Sequence, residues 1–217
     1  GSKSKNYELI QPKKDDVKVE ISPLDINIKD LSAMDKEYDG NNKVKIQRGT
    51  LEGILNGDTV SAKIPEEGQA DDKNAGRHKV YIEKITLNGQ DAQNYNLIQP
   101  EYGSITMQIS QRSISIINLK AQDKIYDGNN KVNLVGGEIK GKIDKDDVSF
   151  KLPDVAKAEG SKVGIHKVIT TGIKLEGHDA KNYKIEKIKY VTVKIKEEQK
   201  KKKEEISDKE LPQTGVS

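Results

Sequence analysis

The sequence predicts a mainly β protein, built as two tandem small antiparallel β-sheet domains of Ig-like sandwich or β-grasp-like type, arranged as beads on a string. Three observations carry that expectation. Isoleucine and valine together outnumber leucine by 39 to 12, and β-branched side chains favour the pleated, half-buried surface of a sheet. Apolar and polar residues alternate at period two in short segments bounded by Gly, Asn and Asp, the pattern of strands with one wet face joined by tight turns. The whole pattern also occurs twice, 88 residues apart, which divides the chain into small cores.

The repeat orders the rest of the chain. Tyr38-Asp39-Gly40-Asn41-Asn42-Lys43-Val44 recurs unchanged as Tyr126-Asp127-Gly128-Asn129-Asn130-Lys131-Val132. The same offset relates Gly53 to Gly141, His78-Lys79-Val80 to His166-Lys167-Val168, Asn94-Tyr95 to Asn182-Tyr183, and Tyr102 to Tyr190. Upstream, Asn6-Tyr7-Glu8-Leu9-Ile10-Gln11-Pro12 stands 88 residues before Asn94-Tyr95-Asn96-Leu97-Ile98-Gln99-Pro100. Residues 1–21 are therefore expected to be the C-terminal remnant of a preceding repeat. Complete repeats are expected at 22–109 and 110–197, and a charged spacer with a terminal motif at 198–217.

Within the repeats, strands are expected at Val17-Lys18-Val19-Glu20-Ile21, Ile26-Asn27-Ile28, Ile105-Thr106-Met107-Gln108-Ile109 and Val191-Thr192-Val193-Lys194-Ile195, each alternating apolar with polar. Turns between strands are expected at Asp39-Gly40-Asn41-Asn42, Asn56-Gly57-Asp58, Asn88-Gly89 and Gly136-Gly137, since these residues tolerate the positive φ of tight turns. Asp91-Ala92-Gln93-Asn94 and Asp179-Ala180-Lys181-Asn182 are read as short helical turns.

Composition removes several functions. Of 217 residues, 33% are hydrophobic and 34% charged, the net charge is +3, and there is no cysteine. Disulfide frameworks and thiolate metal sites are excluded. No apolar run approaches the roughly 18 residues of a membrane span, so no membrane partner is expected for this piece. Lysines are interleaved with acids and accompanied by no aromatic platform, which speaks against nucleic acid. No nucleophile elbow, phosphate-binding glycine loop or His-Glu-x-x-His motif is present, so the chain is not expected to be an enzyme or to use a cofactor. A calcium loop opening at Asp35 lacks its final carboxylate, because Ile46 stands there. The three histidines lack patterned metal-ligand partners, and no metal site is expected. The paired carboxylates Asp146-Asp147 and Glu66-Glu67 are read as solvated, and the chain as a monomer.

Each repeat resembles the YDG-type repeats of large bacterial surface proteins and adhesins. The residues that carry the resemblance are Tyr38, Asp39 and Gly40 with Tyr126, Asp127 and Gly128, and Leu87-Asn88-Gly89-Gln90-Asp91-Ala92-Gln93-Asn94-Tyr95 with Leu175-Glu176-Gly177-His178-Asp179-Ala180-Lys181-Asn182-Tyr183. Asn94 and Tyr95, like Asn182 and Tyr183, are taken as structural signature residues. The second repeat departs where Asn74-Ala75-Gly76 becomes Lys162-Val163-Gly164, and where Gly57-Asp58 is read as becoming Asp146-Asp147. The resemblance implies tandem β modules on a surface stalk and names no ligand.

Past residue 196 the texture changes: Lys196 through Glu210 holds 12 charged residues out of 15, with no apolar face to bury. Leu211-Pro212-Gln213-Thr214-Gly215 follows. It resembles the Leu-Pro-any-Thr-Gly sorting signal of Gram-positive surface proteins, in which a sortase cysteine attacks the threonine carbonyl, here Thr214, and passes it to an amine of the cell-wall precursor. The family's signal continues into an apolar span and a basic tail, whereas only Val216 and Ser217 follow here; the sequence is expected to be a shortened piece of a longer protein. The resemblance implies an extracellular, wall-anchored location, with sortase and peptidoglycan as partners. An alternative is that the repeats themselves bind a host protein or glycan through tyrosines shared by both copies, such as Tyr38 with Tyr126 or Tyr95 with Tyr183. Stalk modules of such proteins often carry a spontaneous Lys–Asn crosslink, but no spacing here singles out a pair.

Overall fold

The computed structural model describes residues 4–14, 18–188 and 190–198. It is mainly β, with three short 3₁₀ turns at Ser4–Asn6, Ala92–Asn94 and Ala180–Asn182. The chain divides into two compact units, Gly1–Gln111 and Arg112–Ser217, and each contains one repeat.

The first unit contains β1 (Leu24–Lys29), β2 (Ser32–Ala33), β3 (Lys36–Glu37), β4 (Lys43–Gln47), β5 (Thr50–Glu52), β6 (Ser61–Lys63), β7 (Glu67–Ala70), β8 (Gly76–Tyr81), β9 (Thr86–Asn88), β10 (Tyr95–Leu97) and β11 (Thr106–Ser110). They form one sheet in the order β10-β1-β5, a second in the order β2-β4-β7-β8-β11-β3, and the pair β6-β9. Most neighbours are antiparallel, as their turns require. Two pairs are parallel, β1 with β10 and β11 with β3, because these join strands far apart in the chain, where no hairpin dictates direction.

The second unit repeats the plan with β12 (Arg112–Ala121), β13 (Lys124–Ile125), β14 (Lys131–Val132), β15 (Leu134–Lys140), β16 (Ser149–Lys151), β17 (Ala156–Ala158), β18 (Gly164–Ile169), β19 (Lys174–Glu176), β20 (Tyr183–Ile188) and β21 (Thr192–Lys196). Its sheets run β15-β12-β20 and β13-β21-β18-β17-β14, with the pair β16-β19. Here β12 does the work of both β1 and β2. Asp30, between β1 and β2 of the first unit, and Asn118, within β12 of the second, occupy equivalent positions and both have φ +57°.

The alternation in sequence becomes burial. Met107 and Ile109 on β11, and Val193 and Ile195 on β21, point inward and are at most 3% exposed, while the residues between them face water. Ile26, Ile85, Tyr95 and Leu97 form one buried cluster in the first repeat, packed by Leu51, Val60 and Leu87. Val132, Leu134, Ala158, Val168 and Val193 form one in the second. Burying each such side chain contributes on the order of 1.5–3 kcal/mol.

Three expectations change. Residues 18–21 form no strand, and Val19 and Ile21 are 81% and 91% exposed. This segment copies β11, which β8 and β3 hold on either side, and it pairs with no strand among the described residues; a lone strand has nothing to satisfy its backbone. Gly136 and Gly137 are not a turn between strands. They lie within β15, opposite Asn118 of β12, with φ +70° and +101°. They bend the strand, which the second glycine also allows Phe150 to approach closely. Finally, the 88-residue register ends at Tyr102 and Tyr190. Gly76 pairs with Ile109 but Gly164 pairs with Ile195, an offset of 86, because Gly103-Ser104 has no counterpart before Val191.

Candidate functional site

Both copies of the Tyr-Asp-Gly signature are folded around a lysine that the sequence reading did not single out. Lys36 sits on β3, two residues before Tyr38. Its Nζ donates to Asp39 Oδ1 at 2.8 Å, Asn41 O at 2.9 Å, Asn41 Oδ1 at 3.1 Å and Lys43 O at 2.8 Å. Lys124 repeats this arrangement, donating to Asp127 Oδ1 at 2.6 Å, Asn129 O at 3.2 Å, Asn129 Oδ1 at 3.1 Å and Lys131 O at 3.0 Å. The same side chains accept from the backbone: Asn41 N–H donates to Asp39 Oδ1 and Lys43 N–H to Asn41 Oδ1, with equivalents at Asn129 and Lys131. Gly40 and Gly128, both at φ +81°, make the reversal. The signal was present in sequence, since Asp-Lys precedes the signature tyrosine at the same offset in both repeats. The aspartate of that pair also has a use, because Asp35 accepts from Gln108 N–H at 2.7 Å and Asp123 from Lys194 N–H at 3.0 Å.

The chemistry of the clasp follows from this geometry. The oxygens that could face a metal ion already face an ammonium. The Lys124 hydrogen bond holds the Asp127 carboxyl below its ordinary value of 3.8, so the lysine's partner is an ionised acid. Amide formation between Lys36 and Asn41 would need the amine aimed at the carboxamide carbon; instead Nζ donates to its oxygen. We therefore expect the intact mass of the purified chain to equal the sequence value. A deficit of one ammonia per repeat, read by mass spectrometry, would show that the clasp closes covalently.

Asn94-Tyr95 and Asn182-Tyr183 build a second structural knot. The 3₁₀ turn at Ala92–Asn94 delivers Tyr95 onto β10, where its hydroxyl donates to Asp58 Oδ2 at 2.5 Å and accepts from Leu55 N–H at 3.0 Å. Tyr183 donates to Asp146 Oδ2 at 2.5 Å and accepts from Ile143 N–H at 3.1 Å. The match of Asp58 is thus Asp146 alone, not the start of an Asp146-Asp147 replacement for Gly57-Asp58. Nor is Asp146 solvated: it is 8% exposed. Burial, together with the Asp146 carboxylate, pushes the Tyr183 hydroxyl up to about 12. The hydrogen bond to Asp58, helped by burial, also raises Tyr95. Asp91 and Asp179 close the knot by accepting from Thr59 N–H at 2.8 Å and Asp147 N–H at 3.0 Å.

Tyr95 and Tyr183 are therefore buried anchors and offer no ligand platform. Tyr38 is fully buried, whereas Tyr126 is 50% exposed; Asn182 is fully buried and Asn94 is exposed. The histidines hold loops. His78 lies between Asp71 Oδ1 at 2.8 Å and Asn74 O at 2.7 Å, and His166 Nε2 lies 2.7 Å from Lys162 O. His178 lies 3.3 Å from its neighbour Asp179 with its ring largely in water. The sorting-motif residues Leu211, Pro212, Gln213, Thr214 and Gly215 lie outside the described residues.

The model of the YDG domain matches the sequence twice, over residues 22–103 and 110–192. The chain belongs to the YDG domain family. Its two YDG domains share the lysine clasp and the tyrosine knot residue for residue. No curated protein matches the sequence. Among solved structures, Drosophila N-cadherin EC1-3 aligns at 8% identity and a TM-score of 0.24, over 82% of this chain and 68% of that one. Drosophila N-cadherin EC1-4 aligns at 7% identity and 0.23, over 80% and 50%. The fibronectin(III)-like modules of Clostridium thermocellum CbhA align at 10% identity and 0.21, over 79% and 94%. Likeness this faint has no bearing on fold or function.

Proposed function

We propose that the two YDG domains are part of the stalk of a Gram-positive surface protein anchored to the cell wall by a sortase, projecting a distal adhesive region outward. The observation that carries this reading is the placement of Leu211-Pro212-Gln213-Thr214-Gly215 behind a segment with 12 charged residues out of 15, itself behind two repeats. The domains suit a stalk because their signature residues are spent on their own fold. Polar groups that recur in both repeats, such as Lys36 with Asp39 and Tyr95 with Asp58, are satisfied within their own domain and need no ligand to hold them.

In this reading the chain is a substrate and not an enzyme. The sortase thiolate attacks the Thr214 carbonyl carbon, the Thr214–Gly215 amide breaks, and the Gly215 amine leaves carrying a proton. An amine of the peptidoglycan precursor then attacks the thioester, which leaves Thr214 amide-linked to the wall and frees the thiol. Proline at 212 restricts φ for the enzyme's groove, leucine at 211 would give an apolar anchor, and glycine at 215 would leave room at the scissile bond. Incubation with a sortase and a glycine peptide is expected to replace Gly215-Val216-Ser217 by that peptide. Thr214→Ala should leave the mass unchanged; transfer at the wild-type rate by this variant would rule the reading out.

A further inference from the structure

Signature Tyr126 apart, the tyrosines left exposed within the YDG repeats lie outside the signature, and two of them line one cleft in the first domain. Tyr81, at the end of β8, is 56% exposed, and Tyr102, in the loop before β11, is 63% exposed. They flank a cleft of about 150 Å³ whose floor is the buried Ile85 and Ile105 and whose rim carries Glu83 and Glu101. The floor is held by Gln99. Its side chain accepts from Ile85 N–H at 2.9 Å and donates to Ile85 O at 3.0 Å, so its amide is committed to the backbone. The turn carrying Glu101 and Tyr102 is closed by Ser104, whose N–H and Oγ–H both donate to Glu101 O.

Two features of this cleft exceed what packing requires. Neither the Glu83 nor the Glu101 carboxylate takes part in an ion pair among the described residues. Both stand beside aromatic rings, whose faces attract cations, and Tyr102 already has Lys79 Nζ 5.7 Å from its centroid. The second domain supplies an internal contrast at the 88-residue offset: Ile169 stands for Tyr81, Thr171 for Glu83 and Lys189 for Glu101, while Tyr190 keeps its stacked lysine, Lys167 at 4.9 Å. The lysine-on-tyrosine pair is common to both domains, but the acidic, two-tyrosine cleft belongs to the first.

We propose that this cleft binds a lysine or arginine side chain of a basic peptide. The aliphatic stem lies on Ile85 and Ile105 between the tyrosines, as long cationic side chains do on apolar surface. The charged head meets Glu83 and Glu101, to which neither Lys84 on the same rim nor Lys79 at the Tyr102 ring is ion-paired. Charge complementarity selects this occupant over a neutral sugar. The site is separate from wall anchoring, so its failure leaves the stalk reading standing.

The test is amide NMR of the full chain, titrated with blocked lysine, blocked arginine, blocked norleucine and a methyl glucoside. The two cations are expected to bind with dissociation constants of order millimolar, moving amides near Tyr81, Glu83 and Tyr102 but not near Ile169, Thr171 and Tyr190. Norleucine and the glucoside should move none. Glu83→Gln combined with Glu101→Gln should weaken cation binding about tenfold or more. Both positions are exposed, so its spectrum should otherwise match the parent. Tyr102→Ala should also weaken binding, through loss of a wall and without loss of charge. Absent shifts with both cations, equal shifts with norleucine or glucoside, or undiminished binding by the double variant would each overturn the proposal.

Discussion

Gly177→Ala is expected to destabilise the second YDG domain by about 3 kcal/mol or more. Gly177 has φ +112°, and an added Cβ would lie 2.3 Å from Asp147 O and 2.9 Å from its carbonyl carbon. The obstacle is backbone, and it is held in place. Asp147 O accepts from Asp179 N–H at 3.1 Å, Asp147 N–H donates to Asp179 Oδ2 at 3.0 Å, and His178 N–H donates to Asp147 Oδ2 at 3.0 Å. Relief of the clash would break bonds on both sides of the knot. Gly128→Ala is the control, because it has φ +81° but nothing within 4 Å of its added Cβ. It should cost only the backbone term, about 1 kcal/mol. Denaturant titration followed by amide hydrogen exchange resolves the two domains. Gly177→Ala should lower protection in the second and spare the first. The matching Gly89→Ala, whose Cβ would lie 2.2 Å from Thr59 O, should do the reverse. Equal losses at Gly177 and Gly128 would show that the loop yields.

Tyr183→Phe should cost the second domain about 1–3 kcal/mol. The ring and its packing stay, but the buried Asp146 carboxylate loses its donor and the part-buried Ile143 N–H its acceptor. Lys142 cannot compensate as placed, since its Nζ donates to the Asp146 backbone oxygen. Tyr95→Phe should cost less, because Asp58 is only half-buried and can reach water. The pH dependence gives an independent reading. The Tyr183 hydroxyl titrates near 12 in the fold against an ordinary 10.0. Its stabilising contribution is therefore fully present below pH 10 and is lost as pH rises from there through 12. Tyr183→Phe should flatten that alkaline decline. An unchanged decline, or a larger loss at Tyr95, would place the energy elsewhere.

Both predictions concern residues that the repeat made conspicuous without explaining. Tyr95 and Tyr183 stood out because they recur, yet recurrence suits a ligand platform as well as a buried anchor. What separates the two is the partner, and Asp146 is 37 positions from Tyr183. The lysine clasp was nearer to legible, since Lys36 and Asn41 are five residues apart and recur as Lys124 and Asn129. It was missed because half of each lysine's bonds run to backbone oxygens, which leave no mark in the side-chain pattern. The acidic cleft was hidden more deeply, because Tyr81 and Tyr102 come from separate elements and Ile169 breaks the repeat.

The sequence by itself determined the strand-rich class, the two domains and the identity of their signature residues, because alternation, turn chemistry and self-similarity are local properties of a chain. The polar groups it made suspicious turned out to be internal fasteners. Only the tertiary structure decided the parallel pairing of β1 with β10, the bend at Gly136-Gly137, the two-residue slip before β21, and which tyrosines meet water. Each depends on which distant strand lies alongside, and a strand's own period of two is the same whichever neighbour it pairs with.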